Sequence, residues 1–169
     1  MKRIAKFYKV SKEQFLKDWI NTFPDSSKEE GELTYEGIKL PKRATRGSAG
    51  YDFYSPSSFL LSPRETIVIP TGIRVEMVEG WVLQAYPRSG LGFKYRLQLN
   101  NTVGIIDSDY YYSENEGHIF AKLTNDSVEG KIVEVPSGKG FMQGIFVPYG
   151  ITVDDNAVEI RNGGFGSTN

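Results

Sequence analysis

Apolar positions change period twice along the chain. "MKRIAKFYKV" places Ile4, Phe7, Tyr8 and Val10 in an imperfect alternation, which predicts a strand. "SKEQFLKDWINTF" then places Phe15, Leu16, Trp19, Ile20 and Phe23 at helical spacing. Ser11 with Gln14 three residues on fits a capping box, and Pro24 with Asp25 stops the helix. A helix is therefore expected over about residues 11–23, its apolar stripe docking on the rest of the protein. "DSSKEEGEL" is polar and reads as a surface loop. From about residue 37 the texture turns to short strands. "ETIVIPTGIRVEM" reads as two, split by Pro70 and Gly72, and "WVLQAY", "HIFAKLTN", "KIVEVP" and "FMQGIFVPY" read as four more. No internal repeat or low-complexity tract interrupts them. Strands without interleaved helices predict an all-β sandwich, barrel or jelly roll with one additional N-terminal α-helix.

Composition sharpens this picture. The 18 Gly, 8 Pro, 10 Tyr and 10 Phe among 169 residues suit many short strands joined by tight turns. The absence of cysteine excludes disulfides and thiolate zinc sites. A single histidine, His118, excludes a histidine-based metal cluster within one chain. It reads as a strand residue without a catalytic role. Trp19 and Trp81 read as core or interface. A net charge of −1 gives no field that draws the chain to nucleic acid or to an anionic membrane. No apolar run reaches the roughly 18 residues that span a bilayer. Lysines interrupt the N-terminal apolar positions, unlike a signal peptide. A cytoplasmic protein is expected.

Five segments offer chemistry beyond turns: "SAGYD" (48–52), "PRSGLG" (87–92), "NNTVGIIDSDY" (100–110), "SGKGFMQ" (137–143) and the tail "GGFGSTN" (163–169). "PRSG" sets a guanidinium, a hydroxyl and bare N–H groups together, the donors that hold phosphate oxygens. A plain turn is the alternative. Asp107 and Asp109 follow a Gly-led apolar run. They suit direct metal binding, a metal's water shell or a general base, with an Asx turn as the alternative.

In combination and order, "AGYDF", "PRSGLG", "GIIDSDY", "GKGFMQ" and "RNGGFGSTN" resemble the five motifs of the trimeric dUTPase family. Those read roughly AGYDL, PRSGLA, GxIDxDYxG, GxRxAQ and RGxGGFGSTG. "LPKRATRGSAGYDF" also looks like the family's lead-in, and the resemblance covers about residues 38–169. It implies the jelly-roll-like dUTPase fold, a β-clip. Residues 37–157 form the β core, 1–36 a docked N-terminal strand, helix and loop, and 158–169 a mobile glycine-rich arm. It also implies hydrolysis of dUTP to dUMP and pyrophosphate by attack of water on the α-phosphorus. That reaction keeps uracil out of DNA and supplies dUMP for dTMP synthesis.

The resemblance assigns roles. Asp107 orients and deprotonates the water and contacts the 3′-hydroxyl. Tyr110 packs under the deoxyribose and leaves no room for a 2′-hydroxyl. The backbone of Gly104, Ile105 and Ile106, with Asn101, reads the uracil edge. Arg88, Ser89 and Gly90 hold phosphates, and Gln143 positions the α-phosphate. Asp52 lies near the water shell of a Mg2+ held mainly by the three phosphates. In the tail, Phe165 stacks on uracil, Gly166 lets the backbone approach phosphate, and Ser167, Thr168 and Arg161 add donors. The family builds each site from three subunits, so a homotrimer is expected.

The sequence also departs from the pattern. The fourth motif keeps its Gly and Gln but lacks the usual Arg and Ala. The third runs on as "YYYSENEGHIF", longer than usual, and Arg161 stands one residue nearer the glycines. Two alternatives follow. One is a dCTP deaminase-type enzyme of the same fold, against which "PRSGLG" and "GIIDSDY" argue. The other is a regulatory nucleotide sensor with a protein partner, bound at the insertion after Tyr110 or at the N-terminal helix.

Overall fold

A computed structural model of the chain describes residues 2–159, 161 and 163. The elements run β1 (Ala5–Lys9), α1 (Lys12–Thr22), α2 (Lys28–Gly37), β2 (Lys42–Arg43), β3 (Tyr51–Tyr54), β4 (Phe59–Leu61), β5 (Thr66–Pro70) and β6 (Ile73–Met77). They continue with β7 (Trp81–Pro87), α3 (Ser89–Tyr95), β8 (Leu97–Leu99), β9 (Gly104–Ile106), a 3₁₀ turn (Ser108–Tyr112), β10 (Phe120–Asn125), β11 (Val133–Val135) and β12 (Gly140–Pro148).

The main sheet has five strands in the order β2-β3-β12-β7-β9. A three-stranded sheet runs β5-β10-β8, and β1-β6 and β11-β4 form two pairs. All these pairings are antiparallel. The buried core includes Phe53, Leu83, Phe141, Met142, Ile69 and Leu123. Phe141 and Met142 are neighbours in sequence, yet both point inward. A register shift between Gly140 and Met142 adds the extra residue that permits it.

The predicted strands are all present, and the N-terminal strand pairs with β6, Phe7 opposite Val75. The predicted helix is α1, with Phe15 and Trp19 buried. Its cap differs from the sequence reading. Ser11 Oγ accepts the Gln14 N–H at 3.1 Å, but the Gln14 side chain bonds Asp18. The Ser11 N–H goes to Glu116, at 2.7 Å, from the insertion after Tyr110.

Three further corrections concern local structure. The polar stretch expected as a loop contains α2, so the N-terminal addition holds two helices. Ser27 and Glu30 make its full capping box. Helix α2 buries Gly31 against α1, and its Tyr35 packs on Phe15. A Cβ at Gly31 would stand 2.8 Å from Leu16 Cδ2 and 3.1 Å from Trp19 Cδ1. "PRSGLG" is not a plain turn, since Arg88 leads into helix α3. His118 lies before β10 rather than within it, and it is fully buried.

Candidate active site

The first cluster is built by strand register. Asp52 on β3 stands opposite Gln143 on β12, and Gln143 stands opposite Tyr86 on β7. Arg88 follows directly after β7, and its N–H donates to Phe141 O at 3.1 Å. Its Nε lies 3.1 Å from Asp52 Oδ1. Arg88, Ser89 and Gln143 therefore line one cleft of about 610 Å³, with Gly92, Phe93 and Ile145. Ser89 and Gly90 open α3, where the first N–H groups have no carbonyl partner within the helix. This cleft offers a guanidinium, a hydroxyl, an amide and backbone donors, a set suited to phosphate oxygens.

The fourth motif, which lacks the usual Arg and Ala, fits this cleft. Gly140 stands where the family pattern has Arg. A Cβ at Gly140 would lie 3.2 Å from Arg88 Cδ and Nη1. The space is filled by Arg88. Gly50 of "AGYDF" has a matching cause, because a Cβ there would lie 2.7 Å from Gln143 Oε1.

The second cluster sits at the end of β9. That strand is an edge of the main sheet, so one side of its backbone is open to a ligand. Ile106 is buried and Ile105 exposed. Asn101 lies in the exposed turn before it, its carbonyl accepting the Val103 N–H. Asp107 leads into the 3₁₀ turn without capping it. It accepts instead from Arg161 Nη2 at 2.7 Å, while Arg161 Nε reaches Asp109 at 3.0 Å. Arg161 thus rests on two carboxylates of its own chain, which attract it more than an open solvent position would.

Tyr110 is buried within this cluster. Its hydroxyl donates to His118 O at 2.7 Å and accepts from Asn115 Nδ2 at 2.9 Å. Burial holds its phenol above the ordinary range, so the hydroxyl keeps its proton and its donor role.

Among the described residues, the two clusters share no lining residue. Asp107, Asn101, Gly104 and Tyr110 are not among the described residues lining the Arg88 cleft. Phe165, Gly166, Ser167 and Thr168 lie outside the described residues. Among the described residues, Asp52 is the acidic side chain tied to the first cluster. One of its oxygens is taken by Arg88, which leaves the other for a cation's water shell. Among the described residues no three acidic or histidine side chains gather as a metal shell. Such a donor set fits a cation held mainly by substrate phosphates.

Sequence reasoning missed Asp18, Asn115 and Glu116. Asp18 and Glu116 act across the fold: Asp18 meets His118 from 100 positions away, and Glu116 meets Ser11 from 105. No local spacing signals that pair.

The class of molecule is set by shared architecture. The dUTPase of Streptococcus mutans has the same fold at a TM-score of 0.61 and 38% identity, over 71% of this chain and 91% of that one. A variant dUTPase of Staphylococcus bacteriophage 80alpha shares the fold at a TM-score of 0.64 and 18% identity, over 94% of this chain and 98% of its own. In sequence, the deoxyuridine 5'-triphosphate nucleotidohydrolase of Lactococcus lactis subsp. lactis is 42% identical over 135 residues, covering 78% of this chain and 89% of that protein. Residues 36–169 match the dUTPase family model. The chain belongs to the dUTPase family, and it hydrolyses dUTP to dUMP.

Proposed function

We propose that the two clusters are complementary halves of a dUTP site shared between chains of a homotrimer. The first half holds the triphosphate through Arg88, Ser89 and Gly90, with Gln143 at the α-phosphate. The second half holds the nucleoside. The open edge of β9 at Gly104, Ile105 and Ile106, with Asn101, reads uracil. Fixed backbone donors and acceptors discriminate because a mismatched base leaves them buried and unpaired. Tyr110 takes the sugar.

Asp107 is the general base. It accepts a proton from water as the water oxygen bonds the α-phosphorus, and the bond to the β-phosphate oxygen breaks to release pyrophosphate. Arg161 now occupies that carboxylate, and the substrate's phosphates compete for its guanidinium. Phe165, Gly166, Ser167 and Thr168 close the site as an arm, with Phe165 stacked on the base. Asp52 holds Mg2+ through water, and that cation offsets the triphosphate's charge. The enzyme works in the cytoplasm. Among the described residues no helix is long and apolar enough to cross a membrane.

The observation that carries this reading is the separation of the clusters. A guanidinium buttressed by Asp52 lies in one cleft, and the free-edged strand with its carboxylate lies outside it. The test is pyrophosphate release from dUTP, dCTP, dTTP and UTP, with Mg2+ and with EDTA. Expected are turnover of dUTP only, loss with EDTA, and a kcat lower by about 10³ in a folded Asp107→Asn variant. Binding of dUTP without turnover would favour the sensor reading instead. Mixing Asp107→Asn chains with Arg88→Ala chains tests sharing, since partial activity returns only if one site draws on two chains.

A further inference from the structure

The two features that the family pattern leaves unexplained touch each other. The insertion after Tyr110 is fastened to helix α1 at two points. At the N-cap, the Glu116 carboxylate accepts from Ser11 N–H at 2.7 Å and from Ser11 Oγ at 2.6 Å. One turn and more along α1, Asp18 Oδ2 lies 2.6 Å from His118 Nδ1. The other imidazole nitrogen, Nε2, accepts the Gly72 N–H at 2.8 Å. Nε2 therefore carries no proton, and Nδ1–H donates to Asp18. The ring is fully buried and fixed on both sides.

This fixed residue is also what Tyr110 leans on. The Tyr110 hydroxyl donates to the His118 carbonyl, and Asn115 of the same insertion donates to that hydroxyl. A chain of hydrogen bonds thus runs from α1 through Asp18 and His118 to the tip of the tyrosine. Rejecting a substrate that only adds a hydroxyl is hard for an apolar surface that yields. It needs a ring that cannot tip away. We infer that Asp18 and His118 are positioning residues for Tyr110, so that helix α1 enforces the choice of deoxyribose over ribose. This rests on the reading of Tyr110 as the sugar platform.

The experiment measures kcat and KM for dUTP and for UTP with Mg2+, on the full chain. It compares wild type, Asp18→Ala, Asp18→Asn and Tyr110→Ala. Asp18→Ala is expected to lower the dUTP-over-UTP ratio of kcat/KM by about tenfold, the scale of one charge-assisted hydrogen bond. The change should lie in KM, with kcat for dUTP within about twofold. Asp18→Asn keeps an oxygen acceptor for Nδ1–H and should restore most of the ratio. If Tyr110→Ala collapses the ratio and Asp18→Ala leaves it intact, the helix only braces the fold and the inference is overturned. If Tyr110→Ala also leaves it intact, the sugar reading itself fails and takes the inference with it. Should Asp18→Ala not fold, Glu116→Gln loosens the exposed clamp, and the same two results decide.

Discussion

The Arg88 cleft and the Asp107 turn are held in place by different physics. Asp52 and Gln143 face each other on adjacent strands of one sheet, and Arg88 follows directly after the next strand, so backbone register brings them together and the Arg88–Asp52 pair ties them. Behind them stand Phe53, Leu83 and Phe141, all fully buried. The second region has one edge strand of three residues and a 3₁₀ turn. Its tyrosine is steadied by an insertion, and the insertion by a helix from the far end of the sequence. The first region inherits its geometry from the core. The second acquires its geometry from side-chain hydrogen bonds, and each of those can be removed singly.

The largest test of that contrast is truncation. Phe141→Ala empties a fully buried site on β12, and it should cost about 3–5 kcal/mol of stability. It should also disturb Arg88, whose N–H bonds the Phe141 carbonyl. Tyr112 is 74% exposed in the second region. Tyr112→Ala should therefore stay within about 0.5 kcal/mol. Denaturant midpoints read both. Similar losses at the two positions would break the distinction between a core-built and a bond-built half.

A subtler change separates placement from stability. In Gly50→Ala the new Cβ meets the end of a flexible side chain, Gln143 Oε1, at 2.7 Å. The amide can rotate away, so stability should hold within about 1 kcal/mol. Gln143 is then misplaced, and turnover should fall by about tenfold to a hundredfold. Thermal melts and pyrophosphate release, measured on one preparation, check the two halves of the statement. Full activity in Gly50→Ala would remove Gln143 from the positioning of the phosphate.

Legibility in the sequence follows the same division. The strands were readable because alternation and turn residues are local. "PRSGLG" and "GIIDSDY" were readable as motifs, although the helix that Arg88 leads into was not. α2 leaves little apolar period to read because its buried residue is Gly31, with Tyr35 packing beside it. Its start was nonetheless written in Ser27 and Glu30. His118 read as an idle strand residue because its partners, Asp18 and Gly72, lie in other parts of the chain. Gln14 seemed to complete a cap that Glu116 in fact completes. Pairings of that range leave no periodic trace, and they hold the half of the site that the motifs alone do not support.

The smallest effect is expected in acid. Burial pushes the Asp18 carboxyl up, but the hydrogen bonds from His118 and Gln14, together with the nearby positive charge of Lys17 and the influence of His118, outweigh it, and the group sits below its ordinary range. As pH falls, the unfolded chain therefore takes up this proton before the folded one does. The stabilisation is complete above the unfolded value near pH ~4, and it is lost as pH falls through the lower folded value. Asp18→Asn cannot bind that proton. Its stability should trail wild type at neutral pH and approach it below pH ~4. Urea midpoints for both proteins at neutral pH and in acid measure the difference. A gap that stays constant across that range would mean that the charge on Asp18 contributes nothing to holding α1 against the insertion, and that shape alone keeps Tyr110 in place.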